Sequence, residues 1–207
     1  MKISGAVWLV LVFAAGSVAQ SSADTSLKHG ANELGVWGGA SFSPVTAFSG
    51  ITPAEAKGRK FVIVGLQYAR VLSSKKGMSL EYTIDGIPLA LATNDMVQVS
   101  PATPRKTAYG FGLTPLGLRL NLRNSSRVKP FVTIGAGGML FNRPVPLPDA
   151  GKFAFTLEGG GGVRWFRSSG RAIWLGAKLH HISNGNLSGS NRGINQIVIF
   201  TGFSMVK

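Results

Sequence analysis

The stretch Arg171-Ala172-Ile173-Trp174-Leu175-Gly176-Ala177-Lys178-Leu179-His180-His181-Ile182-Ser183 decides the fold. Ile173, Leu175, Ala177 and Leu179 fall on one parity, and Trp174, Gly176, Lys178 and His180 on the other. A period of two is the signature of a β-strand. One face of this strand suits hydrocarbon, while the other carries small and charged residues. Working back along the chain, the same division recurs. Val62, Val64, Leu66 and Tyr68 alternate with Ile63, Gly65, Gln67 and Ala69; Leu116, Leu118, Leu120 and Leu122 with Gly117, Arg119 and Asn121; Phe153, Phe155 and Leu157 with Ala154, Thr156 and Glu158. Eight strands follow, at about 33–42, 59–72, 78–87, 107–122, 128–141, 152–166, 171–183 and 194–206.

Eight amphipathic strands whose small and polar residues share one face predict an all-β fold, an eight-stranded antiparallel transmembrane β-barrel of the bacterial outer membrane. Inward Glu81, Asp85, Glu158, Arg119, Arg164 and Lys178 would neutralise one another inside it. The competing architecture is a water-soluble calyx, whose apolar face would point inward and whose lysines and arginines would point out. Connection lengths set the orientation. The links at 73–77, 123–127 and 167–170 are short, whereas those at 43–58, 88–106, 142–151 and 184–193 are longer. Short turns belong to the periplasmic side and long loops to the outside.

The N-terminus reads as an export address. Lys2, an apolar stretch from Ala6 to Ala15 and small residues at Ser17 and Ala19 form a signal peptide over residues 1–19. The alternative, a membrane anchor, would need about 20 consecutive apolar residues. Residues 20–32 then form an N-terminal periplasmic segment, and 33–207 the barrel.

Composition removes several chemistries. There is no cysteine, and three histidines leave a zinc cluster little to draw on. The formal charge of +14 raises nucleic acid as a partner, but no basic stretch is interleaved with aromatics, so none is expected. Loop cations Lys57, Arg59, Arg105, Lys106, Arg143 and Arg192 suit the phosphates of an anionic glycolipid, and equally suit ordinary solvated loops. Gly159-Gly160-Gly161-Gly162 lacks the ending of a phosphate loop and lies within a strand, so tight curvature or close packing accounts for it.

The last hairpin carries the chemistry. His181 and Ser183 share the lipid-facing parity of Leu175 and Leu179, with Cα atoms about 6.6 Å apart. Polar side chains on a hydrocarbon-facing wall cost free energy and call for a function. Asn195 shares parity with Ile197, Ile199 and Phe203, and a hairpin turning about Ser188 would set it opposite His181. A hydroxyl beside an imidazole oriented by a third polar group is the arrangement of an acyl-transfer nucleophile. At outer-leaflet depth its neighbours are lipid esters.

The runs His180-His181-Ile182-Ser183-Asn184 and Asn191-Arg192-Gly193-Ile194-Asn195 resemble the C-terminal signature of the lipid A 3-O-deacylases (PagL-type), and Gly110–Arg119 and Lys129-Pro130-Phe131 are similar to that family as well. The resemblance implies an outer-membrane esterase, located as a multi-pass barrel, that removes the ester-linked 3-O-acyl chain from lipid A of lipopolysaccharide without metal or cofactor. Outer-membrane lipid would be its surroundings. Ser183 then matches the nucleophile and His181 the general base, with Asn195 third. Asn191, with Asn184 and Gly193, falls at the oxyanion and substrate-binding positions. The family's best-known members carry glutamate where this chain has Asn195. Two alternatives remain open at this stage, a non-catalytic surface barrel for adhesion or envelope integrity and a narrow solute channel. A homodimer is left open as well.

Overall fold

The computed structural model describes residues 24–42, 44–47, 49–93, 106–145, 150–168, 170–189 and 191–207. The signal-peptide reading of residues 1–19 lies outside the described residues, as does Arg105. The wall is a closed antiparallel barrel built from β1 (Asn32–Ser41), β3 (Lys60–Ser74), β4 (Met78–Thr93), β5 (Ala108–Leu122), β6 (Val128–Phe141), β7 (Phe153–Ser168), β8 (Arg171–Ser183) and β9 (Ile194–Val206). Each strand pairs with the next, and β1 closes the cylinder against β9 in the register Trp37↔Gly202 and Ala40↔Ile199. A two-residue strand, β2 (Pro44–Val45), continues the line of β1 along β9 beyond a break.

Strand ends agree with the sequence reading except on β4, which was expected to stop at 87 and runs to Thr93. Pro88 does not end it. The register steps from Ile87↔Gly112 to Ala90↔Gly110, so the proline sits in a bulge where its missing N–H breaks no ladder bond. The first long loop also holds a short helix, α1 (Pro53–Ala56), closed by a capping box between Thr52 and Glu55.

Inside and outside are reversed relative to a soluble protein. Leu34, Leu66, Leu116, Ile134, Leu157, Leu175 and Ile199 are all more than half exposed, and together they form an apolar belt suited to lipid. Exposed Tyr109, Phe111, Phe153 and Phe155 lie at the long-loop end of that belt, and Trp165 at the short-turn end, as in the aromatic girdles of outer-membrane barrels.

The interior is packed with paired charge, which disposes of the calyx. Arg119 bridges Glu81 through Nε at 2.5 Å and Glu33 through Nη2 at 3.1 Å. Arg164 pairs with the same two acids. One layer nearer the long loops, Lys178 pairs with Glu158, and Trp37 donates Nε1–H to Asp85 at 2.6 Å. Glu33 was not singled out in the sequence, although it shares parity with Trp37. At the short-turn end residues 24–31 fold back over the barrel mouth: Leu27 packs on Val71, Phe166 and Ala172 and donates its N–H to Asn124 Oδ1 at 3.0 Å. The glycine run lies mid-strand in β7, where a Cβ on Gly162 would meet the Leu175 carbonyl oxygen at 2.2 Å, so close backbone approach explains it.

Candidate active site

The site forms where β8 ends and β9 begins, at the long-loop end. Outward parity on β8 is kept to its last residue: Leu175 and Leu179 are exposed, and His181 and Ser183 follow them on the same face, each partly exposed. Inward neighbours His180 and Ile182 are fully buried, His180 stacked on Phe61. The β8–β9 ladder pairs His181 with Asn195. On the other side β7 places Leu157 beside His181 and Phe155 beside Ser183, both exposed. The polar pair therefore has apolar, lipid-accessible neighbours.

His181 donates its Nδ1–H to Asn195 Oδ1 at 2.6 Å. The direction follows from the other end of the amide, because Asn195 Nδ2 donates to the Ala47 carbonyl oxygen at 2.7 Å and so leaves Oδ1 as the end facing the ring. With its proton on Nδ1, the imidazole has its lone pair on Nε2, the state a general base needs. Asn195 lies on the outward parity of Ile197 and Ile199 but is only 5% exposed. The expectation that it faces lipid is corrected here: β2 pairs Val45 with Asn195, and the first loop roofs it. Among the described residues the Ser183 hydroxyl makes no hydrogen bond to the ring, a looseness common before substrate binds.

Gly193 borders the imidazole. A Cβ there would stand 2.5 Å from His181 Cε1, so the absence of a side chain makes room for the ring.

Asn184, expected at an oxyanion position, has its side-chain amide in hydrogen bonds around the hairpin. Its Nδ2 donates to the Ala150 carbonyl at 2.7 Å and to Ser188 Oγ at 2.8 Å, and its Oδ1 accepts from Asn186 N–H at 3.0 Å. A buried amide used at both ends ties the hairpin to the β6–β7 loop. The turn it braces needs left-handed backbone at Gly185 (φ +61°) and Asn186 (φ +63°). Asn191 Oδ1 accepts the Asn184 backbone N–H at 3.1 Å, which leaves the two N–H groups of its amide as donors beside the site. Arg192 pairs with Glu55 of α1 at 2.8 Å, tethering this hairpin to the first loop. The Glu55 carboxyl is held below its ordinary range, first by the Thr52 backbone N–H and then by Arg192.

A family model described as lipid A 3-O-deacylase (PagL) matches residues 64–204. The chain belongs to the lipid A 3-O-deacylase family. Among solved structures, the outer membrane enzyme PagL superposes with a TM-score of 0.58 at 13% identity, covering 83% of this chain and 97% of that one. The outer membrane protein OprG from Pseudomonas aeruginosa gives 0.50 at 12% identity, with 89% and 99% covered. At such identities these likenesses speak for the barrel alone. Comparison with curated protein sequences returns no match. As a lipid A 3-O-deacylase family member with an apolar outer belt, the protein is an outer-membrane hydrolase. The hairpin lies at the long-loop end of the barrel, the end that outer-membrane barrels turn outward.

Proposed function

We propose that the protein cleaves the ester-linked 3-O-acyl chain of lipid A by serine nucleophilic catalysis, with Ser183 as nucleophile, His181 as general base and Asn195 as the group that orients it. Ser183 Oγ attacks the ester carbonyl while its proton moves to His181 Nε2. The carbonyl becomes an oxyanion, received by N–H donors among which we place the Asn191 amide, whose Oδ1 is taken by the Asn184 N–H. Collapse breaks the bond to the sugar oxygen, which leaves with the proton from Nε2. Water, deprotonated by the same nitrogen, then attacks the acyl-serine, releasing a fatty acid and restoring the hydroxyl.

The observation that carries this reading is the pair of hydrogen bonds through Asn195, which set the His181 tautomer on the same lipid-facing strand end as Ser183. Asparagine in the third position still accepts the ring N–H, as in cysteine proteases with a Cys-His-Asn set. What it lacks is the negative charge that stabilises an imidazolium.

Mass spectrometry of lipopolysaccharide incubated with detergent-purified protein tests the proposal. The wild type removes one acyl chain from lipid A, and Ser183→Ala removes none. Equal release by both overturns Ser183 as nucleophile. Release by neither leaves the non-catalytic surface barrel as the reading.

A further inference from the structure

The Asn195 amide is nearly symmetric in shape, and only its hydrogen-bond partners decide which end faces the histidine. We propose that the backbone carbonyl of Ala47, on the first extracellular loop, is a positioning group for the reaction: it takes the Nδ2 end of Asn195 and so compels Oδ1 to face His181. The inference rests on the Ser183–His181 reading and adds a fourth member to it from a different part of the chain.

Turning the amide by half a turn would set Oδ1 against the Ala47 oxygen, acceptor against acceptor, at the present 2.7 Å separation. It would also set Nδ2 against His181 Nδ1, which would then have to accept, moving the ring proton to Nε2. An imidazole protonated on Nε2 cannot take the proton of Ser183. Because Asn195 is 5% exposed, water is poorly placed to make good the lost bonds. The Ala47 carbonyl is itself held in place. Pro44 and Val45 pair with Gln196 and Asn195, and Ser49 Oγ donates to the Thr46 carbonyl at 2.9 Å. At the far side of the loop, the Glu55–Arg192 pair at 2.8 Å fastens α1 to the hairpin.

This device reverses what charge alone would favour. A carboxylate at 195 should strengthen the base, as the acidic third members of serine enzymes do. Here its second oxygen would lie against the Ala47 carbonyl with no proton between them. A protonated carboxyl, by contrast, has the pattern of the amide, with O–H toward Ala47 and C=O toward His181. On this face β8 contributes one titratable neighbour, His181. Residues 44–47 contribute none, and the flanking loops bring Glu55 and Arg192, paired with each other.

The test is kcat for Asn195→Asp relative to wild type, followed from about pH 8 down to about pH 5, with barrel folding verified by heat-modifiability in gel electrophoresis. Each kcat is compared with wild type at the same pH, so the ratio reports what the substitution changes. The expected result is a kcat at least about tenfold below wild type near neutrality, an unchanged KM, and a ratio that rises as acid returns the proton. A variant at or above wild type near neutrality overturns the proposal, as does a deficit that acid does not narrow. A second measurement needs no variant. The 15N shifts of the His181 ring in micelles should place the proton on Nδ1, and a proton on Nε2 overturns the proposal. Activity surviving in Ser183→Ala would instead defeat the catalytic reading itself, so the two failures are separable.

Discussion

Gly193 and His181 are in mutual contact, the glycine backbone lying so near the ring that a methyl group there would stand 2.5 Å from Cε1. Gly193→Ala should therefore turn the imidazole away from Ser183 while leaving the barrel intact. A displacement of about 1 Å in a reacting group can cost on the order of 100-fold. The expected loss is of that order in kcat, with heat-modifiability unchanged, measured by acyl release from lipopolysaccharide. Full activity in Gly193→Ala would mean the ring sits elsewhere during catalysis.

Removing the orienting group should be more severe. Asn195→Ala deletes the acceptor for His181 Nδ1–H and the donor to Ala47. Loss of the correct tautomer in the serine-protease template costs about 10⁴ in kcat, and a fall approaching that size is expected, with KM little changed. Steady-state kinetics on a lipid A substrate measures it. Turnover equal to wild type would place the third member at another residue.

The pH behaviour of the first loop follows from Glu55. Its carboxyl is depressed by the Thr52 N–H and by Arg192, so the folded form holds the charge more tightly than the unfolded one. Such a group contributes stability above its ordinary value of 4.5, and that contribution is lost as pH falls through the lowered value. Hydrogen-exchange protection factors of residues 49–58, taken relative to the intrinsic rate at each pH, should thus be high near neutrality and fall only in acid. Glu55→Gln should show the lower protection already at neutral pH. As an ion pair with one well-exposed partner, it contributes on the order of 0.2–1 kcal/mol, so activity should change by no more than a few fold.

The buried charges give a prediction about stability. Glu81 serves both Arg119 and Arg164, and all three are fully buried. Glu81→Ala leaves two guanidiniums with Glu33 as their shared acid, and removing one partner of a buried pair costs about 3–5 kcal/mol. Urea unfolding of the barrel in detergent should move to lower concentration by the corresponding amount. An unshifted midpoint would mean water or lipid headgroups replace the lost acid.

Much of this was legible because strand parity is local information. Leu175, Leu179, His181 and Ser183 share a face by spacing alone, and the pairing of His181 with Asn195 follows from a turn near Ser188. What escaped depended on the chain returning from a distance. The burial of Asn195 comes from Val45 and Ala47, some 150 positions earlier and across the closing seam, where no periodicity reaches. The commitment of Asn184 to Ala150 and Ser188 requires the β6–β7 loop to arrive beside the hairpin. Glu33 could have been found: it precedes Gly35 and Trp37 on one parity, and a lone acid at a strand start needs an interior cation. The run of β4 past Pro88 to Thr93 was not legible either, since only the neighbouring register reveals the bulge that tolerates the proline.

The cage of Glu33, Glu81, Arg119 and Arg164, together with the Leu27 stopper beneath it, makes the cylinder a solid peg. Nothing bulky can travel down its axis. On the proposed activity, glycolipid approaches by sideways diffusion within its own leaflet, and the trimmed glycolipid and liberated fatty acid depart into the bilayer. Turnover is then coupled to the fluidity of the surrounding bilayer.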